Sequence, residues 1–193
     1  MTILLALGTA FLIGLAQAGP NTSSPKANLP QPGGTQTARQ AYEALQSWMV
    51  QWAGDAQLVS AYASLLKKET EGMGWSFQVY SPARQRLAVV LVSTEKIWVL
   101  RDQPVVYPQR ALDLPLWSLD SDDVLEKWWP QYGAGLWASS KTQNLNMHLG
   151  TTQEGILVWE ISLLNVEGDL LDYAILRADN GEMLTLEVPG GEE

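Results

Sequence analysis

Trp75-Ser76-Phe77-Gln78-Val79-Tyr80 and Trp159-Glu160-Ile161-Ser162-Leu163-Leu164 stand 84 residues apart (159 − 75 = 84). Both open on Trp and keep apolar residues at the third and fifth positions. The offset then continues without a gap. Leu87-Ala88-Val89-Val90-Leu91-Val92 falls on Leu171-Asp172-Tyr173-Ala174-Ile175-Leu176, and Glu95 falls on Asp179. Self-similarity of this length predicts two copies of one structural unit.

Working outward, the first copy spans 37–101. Thr37-Ala38-Arg39-Gln40 has capping-box spacing, in which the Thr hydroxyl takes an orphan N–H and Gln reaches back. Ala41, Leu45, Trp48, Met49 and Trp52 follow on one helical face, and Gly54-Asp55 ends the helix. Trp75, Phe77 and Val79 alternate with Ser76, Gln78 and Tyr80 at the period of a strand. Leu87–Val92 reads as the next strand, and Ile97–Leu100 as a short last one. Ala56–Leu66 is ambiguous by itself, because Leu58, Tyr62 and Leu65 also fit a helix. The second copy, 120–189, resolves it. There Asp120-Ser121-Asp122-Asp123 caps an acidic first turn. Val124, Leu125, Trp128, Trp129 and Tyr132 supply an apolar side, and Pro130 ends or kinks the helix. Gly133, Gly135 and Ser139-Ser140 lead out of it, and Asn144–Leu149 alternates as a strand before the Trp strand. Ala56–Leu66 occupies the same place, so it reads as a strand.

The expected class is therefore α+β: two repeated units, each one helix followed by a three- to four-stranded antiparallel sheet. The rows Trp75, Phe77, Val79 and Trp159, Ile161, Leu163 should lie under the helices. Leu171, Tyr173 and Ile175 read as the next inward row. Tyr80, Val90, Val92, Leu164, Ala174 and Leu176 then fall on the opposite face, which the joined sheets shield or a partner covers. Residues 102–119, with Pro104, Pro108 and Pro115, read as an extended connector. Asp179-Asn180-Gly181 is a hairpin turn signal.

The ends carry an address. Ile3–Ala16 is apolar but shorter than the ~20 residues of a bilayer span, and Ala16-Gln17-Ala18 is a small-x-small cleavage pattern. Residues 1–18 thus read as a signal peptide cut near Ala18, and the chain as extracytoplasmic, periplasmic or secreted. Membrane attachment follows only if that segment stays uncleaved. Residues 19–36 are rich in Pro, Gly, Ser and Thr and read as a flexible tether. Residues 190–193 form an acidic tail.

Composition excludes several chemistries. There is no Cys, so thiol catalysis, thiolate metal sites and lipoprotein anchoring are absent. An exported chain without disulfides must be held by packing, and nine Trp supply the area. The net charge of −9 is uneven: residues 120–193 carry fourteen Asp/Glu against Lys127, Lys141 and Arg177. Such a half repels phosphate backbones, so nucleic acid is not an expected partner. The plainer role of that charge is a solvated acidic face.

Ala178-Asp179-Asn180-Gly181-Glu182-Met183-Leu184 resembles the small-x-Thr-Gly-Glu-hydrophobic segment that closes PepSY-like domains. Ser121-Asp122-Asp123-Val124-Leu125 is similar to that family's helix opening. The resemblance covers 120–187 and, more weakly, 37–101. Arg177 stands where the family usually has Asp, Asn180 where it often has Thr, and Ile97 replaces a turn Gly. The resemblance implies a tandem of exported, non-catalytic modules of the kind attached to peptidases or cell-wall enzymes and thought to restrain them. It carries no catalytic residues across.

Few residues qualify for chemistry. His148, the sole histidine, falls on the strand side opposite Leu145, Met147 and Leu149. One His makes no His-based metal site, and as a general base it has no visible partner. Asp120, Asp122 and Asp123 lack the frame of a calcium loop and read as helix caps. Ser139-Ser140-Lys141 reads as a loop. Trp75 and Trp159 are inward by alternation. Trp128 and Trp129 lie ~100° apart on a helix and cannot face one way. Tyr80, Trp98, Trp117, Trp129 and Leu164 are the candidate partner-binding face, because exposed aromatic and apolar groups are what recognition surfaces use. The expected function is an exported, non-enzymatic binding or regulatory module for a protein partner in the envelope or outside the cell, without cofactors. The alternatives are a small-molecule or lipid carrier with a Trp-lined cavity, or an enzyme using His148.

Overall fold

The computed structural model describes residues 29–184; the signal segment, the first part of the tether and the acidic tail lie outside the described residues. The order is α1 (Ala38–Trp52), β1 (Gln57–Leu66), β2 (Trp75–Ser81), β3 (Arg86–Val92), β4 (Ile97–Pro104), a 3-10 turn (Leu114–Leu116), α2 (Ser121–Trp128), a π-turn (Trp129–Gly133), α3 (Ala134–Ala138), β5 (Asn144–Thr151), β6 (Leu157–Leu164), β7 (Leu170–Arg177) and β8 (Met183–Leu184). All strands belong to one antiparallel sheet, ordered β4-β3-β2-β1-β5-β6-β7-β8. The protein is α+β with eight strands in a single sheet, not two sheets of three or four. The joint is β1 against β5, with Tyr62 opposite His148. Pairing there satisfies two rows of backbone donors and acceptors that separate sheets would leave as edges.

The helices lie on one face. Thr37 caps α1 with the full capping box, and Ala38, Ala41, Leu45 and Met49 are its buried side. α1 packs over β2 and β3. Trp75, Phe77, Val79, Trp159, Ile161 and Leu163 point into the same core as Leu45, Val124 and Trp128, each under 2 % exposed. Trp159 meets Trp75 and Trp117 with ring centroids 5.8 and 6.3 Å apart. A buried indole N–H usually finds a partner: Trp75 Nε1 donates to the Gln36 carbonyl and Trp159 Nε1 to that of Leu119, both at 3.0 Å, whereas the buried Trp117 Nε1 has none.

The two helix starts meet. Asp120 caps α2 through a capping box with Asp123. Its Oδ1 also accepts from the Arg39 N–H of α1 at 3.1 Å, and Ser121 Oγ accepts from the Ala38 N–H at 3.1 Å. One acidic side chain therefore serves orphan donors of both helices.

Four expectations change. Val90, Val92, Ala174 and Leu176 are inward, whereas Tyr173 and Ile175 face away from the helices; Leu171 packs on the helix-side core as expected, at the bulge where β7 slips against Leu163 and Leu164. The reason is register: Phe77 stands opposite Val90 and Ile161 opposite Ala174, and residues directly opposite in a sheet share a face. β4 runs to Pro104, because Arg101, Asp102 and Gln103 pair with Val89, Ala88 and Leu87 beyond a bulge at Leu100. Gly133 and Gly135 do not lead out of the helix. Pro130 ends α2, but a π-turn absorbs it and α3 follows. Residues 29–36, expected as tether, lie on the core. Pro32 and Gly33 are buried, the Gly72 N–H bonds the Gln31 carbonyl, and a Cβ on Gly33 would sit 1.7 Å from Trp75 Nε1. Only glycine permits that approach.

Candidate functional site

The face away from the helices carries one continuous cross-strand row: Trp98, Leu91, Ser76, Tyr62, His148, Glu160, Ile175 and Leu184, one residue from each strand. Its centre is polar. Tyr62 donates its hydroxyl to Asn146 Oδ1 at 2.8 Å, Ser64 Oγ donates to Asn144 Oδ1 at 2.9 Å, and Asn146 Nδ2 donates to Ser162 Oγ at 3.3 Å.

His148 has the partner that the sequence reading did not find. Its Nδ1 lies 3.2 Å from Glu160 Oε2, both side chains about one-third exposed (37 % and 34 %). β5 and β6 set these residues directly opposite each other. Alternation puts His148 and Glu160 on the same face, but only the pairing of β5 with β6 sets them directly opposite. Gly150 makes the room: a Cβ there would stand 2.7 Å from the imidazole Cε1. The hydrogen bond from His148 holds the Glu160 carboxyl below its ordinary range, against partial burial. Burial, then the neighbouring Glu160 charge, pushes the Tyr173 phenol up to about 12.

A carboxylate-held imidazole is half of a nucleophile-activating pair. The nearby hydroxyls of Ser64 and Ser162 are bonded to Asn144 and Asn146 rather than to His148. Among the described residues no group of three His, Cys, Asp or Glu could hold a metal ion, and no helix is long and apolar enough to cross a membrane.

The five candidate face residues do not form one surface. Trp98 is 36 % exposed on β4, at the edge of the sheet. Leu164 is half-buried at the end of the outer face, on a cleft of about 360 Å³ that it shares with Leu66, Lys68 and Asn144. Tyr80 is on that face but only 5 % exposed, flanked across the sheet by Gln57 and Leu87. Trp117 is a core residue, 4 % exposed, against Tyr42 and Trp159 and under the Arg39 guanidinium. Trp129 is half-buried on the helix side, between Trp128 and Trp137. Tyr80 and Trp117 are therefore corrected to interior positions.

The sequence reading missed a second exposed group. Val99 and Leu100 on β4 are 48 % and 59 % exposed, and Val106 and Tyr107, just beyond it, are 87 % and 77 % exposed. With Trp98 they form the densest run of exposed apolar side chains along the described chain. A cleft of about 400 Å³ also lies beside the 29–37 segment and reaches Trp75, Leu125 and Met147. In comparisons with known proteins, the chain matches no family model, no curated protein and no solved structure.

Proposed function

We propose that the protein is an exported, non-enzymatic binding module, built from two copies of one α+β unit, that engages a protein partner in the cell envelope or outside the cell and restrains it. A peptidase or other envelope enzyme is the class of partner that the PepSY-like resemblance implies. The observation that carries the binding reading is the run Trp98, Val99, Leu100, Val106 and Tyr107, which leaves aromatic and aliphatic groups in water at one end of the sheet. Register supports the duplication. Phe77 faces Val90 as Ile161 faces Ala174, each pair displaced by the same 84 residues, and Tyr62 and His148 meet where the two halves join. Export rests on the 1–18 pattern alone.

The test is capture from the exported fraction with the chain starting at Gly19. Loss of one captured enzyme on Trp98→Ser, at unchanged melting temperature, supports the reading. Equal capture by wild type, Trp98→Ser and Leu164→Asp overturns it. Saturable hydrolysis of a peptide or ester, lost on His148→Gln, overturns the non-enzymatic part. A second reading, a carrier of a small apolar ligand, draws on the cleft of about 400 Å³ that reaches Trp75. Native mass spectrometry of gently purified protein tests it: a co-purified ligand favours the carrier, and none removes it.

A further inference from the structure

We infer that β4 is a strand-addition site: an extended, acidic polypeptide segment with alternating apolar residues pairs, as a further strand, with the edge that β4 leaves unpaired among the described residues. The inference rests on the binding-module reading above and names the chemistry of the partner segment.

β4 is the terminal strand of the sheet and eight residues long, whereas β8 at the other end has two described residues. An edge strand presents a row of unpaired N–H and C=O groups, and natural proteins blunt it with lysine, proline, a bulge or a cover. β4 carries no Lys, and its one Pro is its last residue, Pro104. A bulge is present at Leu100, where Val89 pairs with Arg101 and Val90 with Val99, so Leu100 has no opposite number in β3. The apolar side chains at Trp98, Val99 and Leu100 remain exposed on either side of it.

The edge is also held in shape. Asp102 accepts from Arg86 Nε at 2.7 Å and from Trp52 Nε1 at 3.2 Å, and Arg86 Nη2 donates to the Asp102 carbonyl at 3.0 Å. These bonds tie the far half of β4 to β3 and α1. At the near half the Lys96 ammonium lies 4.8 Å from the Trp98 ring centre. A template fixed in advance costs its partner less ordering than a frayed one.

Charge selects the occupant. Arg84, Arg86, Lys96 and Arg101 stand along β3, β4 and the adjoining turns against Asp55, Glu95 and Asp102; Asp102 is paired with Arg86, and Asp55 holds the turn beside Arg84. The balance along this edge is positive by one (4 − 3 = 1) on a chain of net charge −9. A second copy of the chain would bring cations against cations, edge to edge. An acidic segment instead finds complementary charge, and its alternate side chains reach the apolar groups of β4.

The probe is a synthetic eight-residue peptide of alternating glutamate and valine, with wild-type protein and amide NMR as the readout. The expected result is saturable binding with shifts and slowed exchange over 97–107. N-methylation of alternate peptide amides should weaken binding at least tenfold, since it removes main-chain donors while keeping every side chain. Lysine in place of glutamate should weaken it by a similar factor. Leu100→Pro, at a position outside the β3 ladder, should do the same with the melting temperature kept within a few degrees. Equal affinity for the N-methylated peptide, shifts confined to the Tyr62–Tyr173 face, or no binding at all overturns strand addition. A concentration-dependent dimer protected at 97–107 assigns the edge to a second copy and overturns it as well. None of these failures touches the capture experiment with Trp98→Ser, so the two readings fail separately.

Discussion

Asp120→Ala should be among the most damaging changes at a partly exposed position. The carboxylate caps its own helix and also accepts the Arg39 N–H of α1 at 3.1 Å. Losing an N-cap costs about 1 kcal/mol. Losing a hydrogen bond to a charged acceptor costs about 1.5–3 kcal/mol, taken near its lower end for a half-exposed group. The sum, about 2–3 kcal/mol, corresponds to roughly 5–10 °C in Tm for a domain of this size. Urea unfolding followed by Trp fluorescence gives the same quantity from the midpoint, provided the slope is unchanged. Asp120→Asn keeps the one oxygen, Oδ1, that accepts from both Ser121 and Arg39, and should lose less than about 1 kcal/mol. Ser121→Ala removes the acceptor of the buried Ala38 N–H, and its cost should add imperfectly to that of Asp120→Ala, because both act on one pair of helix starts. A shift below about 2 °C for Asp120→Ala, or equal losses for Ala and Asn, refutes the shared cap; each of these limits follows from the same scale.

Four further outcomes follow from the outer face and the 29–36 segment. Glu160 has its folded pKa lowered, chiefly by the His148 hydrogen bond. Its contribution to stability is therefore present above the unfolded value near 4.5 and is lost as pH falls through the lower folded value. Melting curves below pH 5 should be less pH-dependent for Glu160→Gln than for wild type. Tyr173, raised to about 12, should show phenolate absorbance at higher pH than an ordinary tyrosine, and Glu160→Gln should lower that midpoint. Gly150→Ala should displace the His148 ring and break its contact with Glu160 at a cost of about 1 kcal/mol, visible in the imidazole proton shifts. Gly33→Ala should destabilise by about 1–3 kcal/mol. It should also speed proteolysis between 29 and 36, because the new methyl collides with the Trp75 indole.

Much of the architecture was legible because it is local. Thr37 and Gln40, three apart, make a capping box on any chain that turns into a helix there. The alternation Trp75, Phe77, Val79 forces one side of a strand into the core. The 84-residue offset turned an ambiguous Ala56–Leu66 into a strand, and β1 occupies that place. Alternation does not, however, name the face. Tyr173 and Ile175 alternate as well as Ala174 and Leu176, and apolarity alone favours the wrong pair. Pairing with β6 decides it, through Ile161 opposite Ala174.

The candidate surface was less legible, because exposure is a property of neighbours. Trp117 looked like a connector residue free to bind; three-dimensional packing puts it against Tyr42, Trp159 and Arg39. Val106 and Tyr107 looked like ordinary connector, yet they extend the exposed run of the β4 edge. His148 looked partnerless until Glu160 stood opposite it.

The sequence alone determined where most of the helices and strands fall, that Trp75 and Trp159 are core, and that no thiol chemistry is available. These follow from periodicity, capping and composition, which act over a few residues. The tertiary structure decided that β1 and β5 join the strands into one sheet, leaving β4 as its long outer strand among the described residues. Strand order depends on which backbone edges find each other across more than eighty residues, and no local pattern encodes that choice.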